Sequence, residues 1–467
     1  MKFLNAILPS YHTRTSKWLL IPIELMHREL TSKLLLACVA AERGYSVIIS
    51  EQFKFRNMQA RFPKGVIIEK GCGSGDIMED VFSSYKNTGH LITVSDEETP
   101  SIYSLPESWC KTRVANRTFD KCDRFFSWGD KQTEIMSKFL NVENDKFVSV
   151  GSHRVDVWRK PMFHVHQATA NGYRKKHGRY ILMPSNFAGE IDARGSDFQL
   201  VQAKKYGTVT NEKEEKRLIE FLKYKKTITD KFVEIFPKIV EAFPDHTLII
   251  RPHPVDDNSF WERAIVGLPR AKVIYEGEAT PWLLGADAIF HNGCTTALEA
   301  NMMGLQPLTY MPVQNKEHDD IFLCECGPIA YDEDQLIKNI SDVIDGNQLD
   351  YALANKMENY VSTINETLSC DRMVDVFDDL NIEITTNTFN LMQYLHKLRE
   401  FFRPNFLKKI SMATRKRSRN SNVKPKWPGL HLDELENRIQ GYREQLDRFG
   451  DVRVTDYQRR MFLIYKK

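Results

Sequence analysis

The chain has few of the features that mark several large classes of protein. None of its apolar runs approaches the roughly 20 residues needed to cross a bilayer, and the apolar stretch at its N-terminus is too short for a signal peptide. Its net charge is only +3, from 65 basic and 62 acidic residues, which argues against a dedicated nucleic-acid binder. The eight cysteines form no CxxC pair. We therefore interpret them as scattered reduced thiols and expect a cytoplasmic protein.

The chain also lacks a complete dinucleotide-binding fingerprint. The glycine-rich stretch Gly71-Cys-Gly-Ser-Gly75 has no G-x-G-x-x-G spacing and does not open the first strand-helix unit. We therefore interpret it as a flexible loop and expect no dinucleotide cofactor there.

Size and composition indicate a large globular protein. A chain of 467 residues is too long for one core, so two large domains with additions are expected. A hydrophobic fraction of 42% and a charged fraction of 27% are ordinary for such proteins.

Apolar strands alternate with helical patterns along most of the chain, which predicts an α/β fold with parallel sheets covered on both faces. We expect a first doubly wound domain over residues 1–165, an irregular linker over 162–177, and a second doubly wound domain over 175–385. Within the second domain the pattern predicts a loop over 195–210 and a long helix over 212–242.

Beyond this point the composition changes, and we expect a basic helical extension over 386–467. Eleven Lys or Arg residues and one acid, Glu400, lie between His396 and Trp427.

The segment from Gly293 to Pro307 is the most informative of the chain. It follows a predicted strand, turns at Gly293, and continues as a helix that begins with Thr295 and Thr296. The unpaired amides of a helix N-terminus, together with two hydroxyls, suit a phosphate group. Glu299 lies one turn further on, where a carboxylate accepts hydrogen bonds from ribose hydroxyls.

A second candidate lies one strand-helix unit earlier, at Arg251-Pro-His-Pro254. It ends a predicted strand, and the carboxyl ends of parallel strands line the ligand crevice. Pro254 and its counterpart Pro252 fix the backbone around His253, which suits a donor to a leaving phosphate. Arg251 suits either a bidentate phosphate contact or an internal ion pair.

The spacing of Gly293, Thr296, Glu299, Gly304 and Pro307 resembles the donor-nucleotide motif of GT-B glycosyltransferases, with the proline one position later than usual. The His-Pro strand end and the hydroxyl pair resemble those of GT-B sialyltransferases and bacterial Kdo transferases, which use CMP-activated sugar acids. They also resemble the CDP-polyol transferases of teichoic acid assembly. The general resemblance is to bacterial surface-carbohydrate proteins of GT-B type, and it covers most of residues 15–350.

This resemblance implies two Rossmann-like domains with a nucleotide-sugar held between them. The acidic loop Ser95-Asp-Glu-Glu98 is similar to the motif that supplies the general base in CMP-sialic acid transferases, although Thr99-Pro100 replaces the usual glycine. It implies Asp96 or Glu97, ahead of Glu98, as the base that deprotonates the acceptor hydroxyl. A solvated acidic loop is the alternative.

Four further residues follow predicted strands and are weaker candidates. Ser185 and Asn186 lie where GT-B folds approach the nucleotide phosphates, although an ordinary helix cap is an equal alternative. Glu24 and Arg28 flank the first strand-helix turn and would position the acceptor or form an ion pair. No DxD motif lies in a context that suits metal binding, which favours a metal-independent enzyme. We expect no cofactor other than the nucleotide-sugar co-substrate.

The basic segment, from Arg403 to Lys426, mixes cations with aromatic residues and suits an anionic membrane surface, where a lipid-linked glycan would be met. A solvated linker is the alternative. We expect a transferase that moves a Kdo-like or sialic-acid-like sugar from CMP to a capsule or lipopolysaccharide glycan. A CDP-polyol phosphotransferase, a nucleotide-sugar epimerase and a non-catalytic assembly scaffold remain as alternatives.

Overall fold

The computed structural model describes residues 17–73, 76–187, 191–195, 197–205, 208–354, 356–365, 367–380, 427, 429–458 and 460–467. Its strands are β1 (Trp18–Ile23), β2 (Ser46–Glu51), β3 (Val66–Glu69), β4 (Leu91–Ser95), β5 (Arg124–Ser127), β6 (Phe147–Ser149), β7 (Tyr180–Pro184), β8 (Thr247–Arg251), β9 (Ala271–Val273), β10 (Ala288–His291), β11 (Pro307–Tyr310), β12 (Ile329–Ala330), β13 (Val452–Gln458) and β14 (Met461–Lys466).

The helices lie between these strands on both faces of the sheets. They are α1 (Met26–Glu42), α2 (Gln52–Met58), α3 (Asp76–Asn87), α4 (Pro106–Arg113), α5 (Asn116–Phe119), α6 (Asp130–Leu140), α7 (His153–Trp158), α8 (Gln167–His177), α9 (Phe198–Lys205), α10 (Glu212–Ala242), α11 (Asn258–Ala264), α12 (Ala279–Gly285), α13 (Thr295–Met302), α14 (Ile321–Cys324), α15 (Glu333–Ile344), α16 (Ser369–Asp379) and α17 (Leu432–Leu446).

The first sheet has the strand order β13-β14-β2-β1-β3-β4-β5-β6. Strands β1 to β6 pair in parallel, and the order changes direction between β1 and β3. All six residues of β1 are buried, as expected for a strand covered on both faces. The loops after β1 and β3 therefore open into the crevice where doubly wound sheets bind ligands.

The second sheet has the order β12-β11-β10-β7-β8-β9, and its strands also pair in parallel. Here the change of direction lies between β7 and β10, which places the loops after these two strands at the crevice. The two sheets form two Rossmann-like units that face each other across a cleft. This confirms the predicted α/β fold of GT-B type.

The predicted helical extension over 386–467 contains strands as well as a helix in its described part. Helix α17 is present, but β13 and β14 form an antiparallel hairpin, and β14 pairs with β2 at the edge of the first sheet. Residues 461–464 are almost fully buried there. The hairpin covers a sheet edge that would otherwise expose unpaired backbone groups.

Three local predictions also differ from the structure. Residues 162–177 form a 3₁₀ turn and helix α8 in place of an irregular linker, and helix α9 lies within the predicted loop over 195–210. Helix α16 belongs to the range assigned to the second domain, yet it packs on α1 of the first. Its apolar face, which includes Met373, Val374 and Phe377, provides the physical reason.

Contacts between the two units close one end of the cleft. The ring of Tyr103 lies 4.8 Å from that of Phe322 and 4.9 Å from that of Tyr360, measured between centroids. The amide of Phe322 also donates to Ser104 Oγ at 2.7 Å. Among the described residues, no helix combines the length and apolarity that crossing a membrane requires.

Candidate functional site

The turn at Gly293 lies at the point where the second sheet changes direction. From the loop after β7, Asn186 Nδ2 donates to the carbonyl of Asn292 at 2.5 Å and to that of Gly293 at 3.0 Å. Gly293 has a φ of +59°, a conformation that other residues rarely adopt. Asn186 thus joins the two crevice loops and fixes the turn that leads into α13. This differs from the predicted contact between Asn186 and a phosphate.

The N-terminus of α13 has the properties expected of an anion site. Cys294 precedes the helix and provides no side-chain cap, and its Sγ lies 2.6 Å from Thr296 Oγ1. Thr295 and Thr296 are half-buried, and within the described residues the Thr295 hydroxyl has no hydrogen-bond partner. First-turn amides and two hydroxyls are therefore grouped at one helix end, whose dipole favours negative charge.

Glu299 lies deeper than the sequence suggested. It is only 5% exposed and accepts a hydrogen bond from the Thr280 hydroxyl. Burial raises its pKa, which the neighbouring Arg154 partly offsets. In the structure the Glu299 carboxylate accepts its hydrogen bond from α12, and a contact between Glu299 and a ribose stays a prediction.

Arg251 fixes a loop through internal hydrogen bonds, and a phosphate contact from its guanidinium stays a prediction. Its guanidinium donates to the carbonyls of Glu276 at 2.8 Å and Gly277 at 2.7 Å, and it lies 5.3 Å from the ring centroid of Tyr275. Arg251 is only 8% exposed, so these hydrogen bonds satisfy the donors of a nearly buried guanidinium. The loop after β9 is thereby fixed at the crevice.

The turn that holds His253 is organised by Asp256. This carboxylate accepts from Ser185 Oγ at 2.6 Å, from the amide of His253 at 3.0 Å and from Trp261 Nε1 at 3.0 Å. Burial raises the pKa of Asp256 to about 6, although the three hydrogen bonds lower it in part. Ser185 therefore helps to position the His253 loop, and its contact with a nucleotide phosphate stays a prediction.

His253 is half-buried next to Pro254 and close to charged groups of the first domain. Burial lowers its pKa to about 4, with Arg28 lowering it further and Glu98 opposing the shift. The amide of Val255 lies 3.5 Å from Nδ1, an arrangement that favours the proton on Nε2. The imidazole is thus neutral near pH 7 and offers an N–H at Nε2.

The three acidic residues after β4 have different surroundings. Asp96 is 1% exposed and accepts two or more hydrogen bonds from the Arg113 guanidinium, the shortest at 2.9 Å. It also accepts from the amide of Glu98 at 2.7 Å. A carboxylate that is buried and bound in this way is poorly placed to meet an acceptor hydroxyl, and the role of Asp96 as the base stays a prediction.

Glu97 is also buried, in a network that sequence inspection missed. Its Oε1 lies 3.1 Å from Lys33 Nζ, and Lys33 lies 2.7 Å from Glu29, one helical turn before it in α1. Burial opposes ionisation of Glu97, yet Lys33 outweighs it and holds the pKa well below its usual range. A buried, firmly ionised carboxylate anchors the loop and is a poor proton acceptor, and the role of Glu97 as the base stays a prediction.

Glu98 is the exposed member of the three, with 40% of its side chain accessible. It lies 2.8 Å from Arg28 and 2.7 Å from Arg113. Burial opposes ionisation, but the two arginines lower its pKa to about 2. Glu24, on the other side of the first turn, lies 2.5 Å from Lys70.

The structure brings together several residues that sequence inspection did not select: Lys33, Lys70, Arg113 and Arg154. Only Glu29 and Lys33 left a sequence signal, their spacing of four on a predicted helix. The other three are separated by tens of residues: Lys70 follows β3, Arg113 ends α4 and Arg154 lies in α7. They come close to the acidic loop after β4 only in the folded chain.

Within the described ranges, no group of three or more His, Cys, Asp or Glu side chains has an arrangement suited to a metal ion. The eight cysteines are unpaired and buried.

No protein-family model matches the chain, and no curated protein matches its sequence. Solved structures resemble it at low identity. The UDP-GlcNAc 2-epimerase of Methanocaldococcus jannaschii, solved with UDP-GlcNAc and UDP, is 12% identical, with coverage of 78% of this chain and 99% of its own and a TM-score of 0.48.

HepE from Anabaena, solved with UDP-glucose, is 8% identical; the match covers 78% of this chain and 100% of HepE, with a TM-score of 0.41. A variant of the wall teichoic acid polymerase TagF soaked with CDPG is 9% identical, with coverage of 80% and 91% and a TM-score of 0.42. Likeness at this level concerns the fold alone.

Proposed function

We propose that the protein is a GT-B glycosyltransferase that binds a nucleotide-sugar in the cleft and transfers its sugar to a surface-glycan acceptor. The observation that supports this most directly is the turn at Gly293, fixed by Asn186. It directs the first amides of α13 and two threonine hydroxyls into the crevice of the second domain. Negative charge on a nucleotide phosphate is stabilised there without a metal ion.

His253 acts on the leaving phosphate as a neutral hydrogen-bond donor. Its Nε2–H donates to a phosphate oxygen, and the anion raises the pKa of the ring from its low value in the free protein. Formation of the glycosidic bond releases the nucleotide with its bridging oxygen, and His253 stabilises the charge that develops on it.

Glu98 accepts the proton of the acceptor hydroxyl. It is the one exposed carboxylate of the loop after β4, and Asp96 and Glu97 hold that loop in place from below. Its pKa is low because Arg28 and Arg113 contact it. When Arg28 turns to a ligand anion, the basicity of Glu98 rises toward that of an ordinary carboxylate.

The nucleotide that we propose is CMP, with a Kdo-like or sialic-acid-like sugar, on the basis of the motif resemblance. The acceptor is a capsule or lipopolysaccharide glycan, met in the cytoplasm at the membrane surface. The basic segment 403–426 would provide that contact, and it lies outside the described residues.

A nucleotide-binding panel tests the proposal. Thermal unfolding is followed with CMP, CDP, UDP or GDP, and CMP is expected to raise the melting temperature most, because a ligand at 100 times its Kd stabilises by about 2.7 kcal/mol. Thr296→Val is expected to weaken binding about 10- to 100-fold, since a hydrogen bond to a charged group contributes about 1.5–3 kcal/mol. Thr227→Val, at an exposed position of α10, is the matched control.

Two results would contradict the proposal. One is the absence of any shift with the four nucleotides in the unmodified protein. The other is a product that gains phosphorus, which indicates the CDP-polyol phosphotransferase, or a changed free sugar formed without acceptor, which indicates the epimerase.

A further inference from the structure

Arg154 is a buried cation in the wall of the cleft without an ion-pair partner among the described residues. The residue is 6% exposed, and within the described residues its guanidinium donates one hydrogen bond, from Nη1 to the carbonyl of Glu97 at 2.7 Å. Its guanidinium lies 4.7 Å from the ring centroid of Trp158, so α7 holds it from one side. A buried guanidinium in this state is costly, because a single carbonyl does not replace its hydration.

The surroundings of Arg154 include charges of both signs. Burial lowers its pKa, and the positive charge of Arg28 lowers it further, whereas the carboxylates of Glu97, Glu299 and Glu98 oppose the shift. Nearby His153 is 1% exposed; neither of its ring nitrogens has a hydrogen-bond partner, and its Nε2 lies 3.8 Å from Glu97. Arg154 is therefore near negative charge but, among the described residues, has no carboxylate in direct contact.

Arg154 lies near the second turn of α13, although it belongs to the first domain. It is the second residue of α7 of the first domain, which packs against α13 of the second, and the charge of Glu299 reaches it from there. The phosphate site is formed by the N-terminus of α13, one turn before Glu299. An anion that meets Arg154 is therefore expected to be a different group of the bound molecule.

We propose that Arg154, with Arg28, binds a carboxylate of the transferred sugar, so that the enzyme selects donors whose sugar is an acid. This inference rests on the proposed function and specifies its substrate class. A planar guanidinium pairs with a carboxylate through two parallel N–H···O bonds, which compensates the buried charge and orients the sugar. A neutral sugar leaves the arginine unpaired and is rejected for that reason.

The test compares ligands and variants in one cycle. The affinities of CMP, CMP-sialic acid and its carboxamide analogue are measured by calorimetry for the unmodified protein, Arg154→Met and Arg154→Lys. Arg372→Met, at an exposed arginine of α16, is the control for removal of a positive charge. UDP-glucuronate and UDP-glucose provide the same comparison of acid and neutral sugar in the UDP series.

We expect the change of ligand from acid to carboxamide and the change of protein from Arg154 to Met to have non-additive effects on affinity. The carboxamide should bind the unmodified protein about 10- to 100-fold more weakly than the acid, and Arg154→Met should remove this difference while leaving CMP affinity unchanged. If Arg154→Met fails to fold, the comparison of acid with carboxamide in the unmodified protein, together with Arg154→Lys, still decides the question.

Three outcomes overturn the inference. Equal binding of acid and carboxamide by the unmodified protein shows that no carboxylate is recognised. An equal loss of CMP affinity in Arg154→Met assigns the arginine to the phosphate site. The third outcome, no nucleotide binding by the unmodified protein, removes the proposed function and this inference with it, whereas the first two leave the proposed function intact.

Discussion

Removal of the Lys33 charge should destabilise the first domain strongly. Lys33 Nζ lies 2.7 Å from Glu29, 3.1 Å from Glu97 and 3.0 Å from the carbonyl of Pro22, and the three side chains are at most 4% exposed. Lys33→Met leaves two carboxylates buried together. Glu29 retains the amides of its own helix start and a 3.3 Å contact with Lys70, whereas Glu97 loses its nearest cation.

The expected cost is about 3–5 kcal/mol, the usual effect of breaking a buried ion pair by removing one partner. That is a large part of the roughly 5–15 kcal/mol that stabilises a typical domain. For a unit of about 150–250 residues it corresponds to a decrease of roughly 6–20 °C in melting temperature. Urea unfolding with an unchanged m-value provides the free energy directly.

The matched control is Lys17→Met, which breaks an exposed pair with Asp378 and should cost less than about 1 kcal/mol. The pH dependence offers a second measurement. Because the folded pKa of Glu97 is depressed, its stabilisation is present above the unfolded pKa of about 4.3 and is lost as the pH falls below it. The difference in unfolding free energy between Lys33→Met and the unmodified protein should therefore become smaller at acidic pH. Equal costs for both lysine variants would refute the reasoning.

Two further predictions concern the crevice of the second domain. Gly293→Ala and Gly304→Ala should each destabilise the protein by about 1–2 kcal/mol, because both residues have a left-handed backbone. Only Gly293→Ala should weaken nucleotide binding, because its Cβ would lie 3.0 Å from Cys324 Sγ, whereas a Cβ at residue 304 meets nothing within 4 Å. Equal nucleotide affinities of the two variants would contradict this prediction. Burial lowers the pKa of His291 to about 3, whereas the unfolded chain takes up a proton there below pH 6.5. The free energy of unfolding should therefore fall by up to about 1.4 kcal/mol per pH unit between pH 6.5 and 3. His291→Asn should reduce the loss of stability between pH 7 and 5 in urea unfolding, and parallel curves for both proteins would disprove the assignment.

Strands and helices with strong local patterns were predicted well. The helix predicted over 212–242 is present as Glu212–Ala242, and the strand predicted to end at Arg251 is present as Thr247–Arg251. Apolar runs and helical periodicity are properties of neighbouring residues, so they are visible in the sequence. The hairpin of β13 and β14 was missed, since a charged helix precedes it and its partner strand lies about four hundred residues earlier.

Helix α1 illustrates how distant elements change a local prediction. Every residue of α1 from Glu29 to Ala41 is buried, including polar residues that a surface helix would expose to water. Helices α16 and α17 contact α1 from the C-terminal part of the chain. Buried polar side chains require partners within the protein, and the pair of Lys33 with Glu29 meets that requirement.

The sequence by itself determined the α/β class and the strand ends that line the crevices, because these follow from local pattern. It also predicts anion binding at the start of α13, from helix electrostatics. The tertiary structure decided which polar side chains have partners within the protein. Ser185, Asn186, Arg251, Asp96 and Glu97 all have the right chemistry, but other parts of the chain engage them. Burial and pairing depend on the complete packing of the chain, so only that packing decided that Glu98 is exposed and that Arg154 is buried.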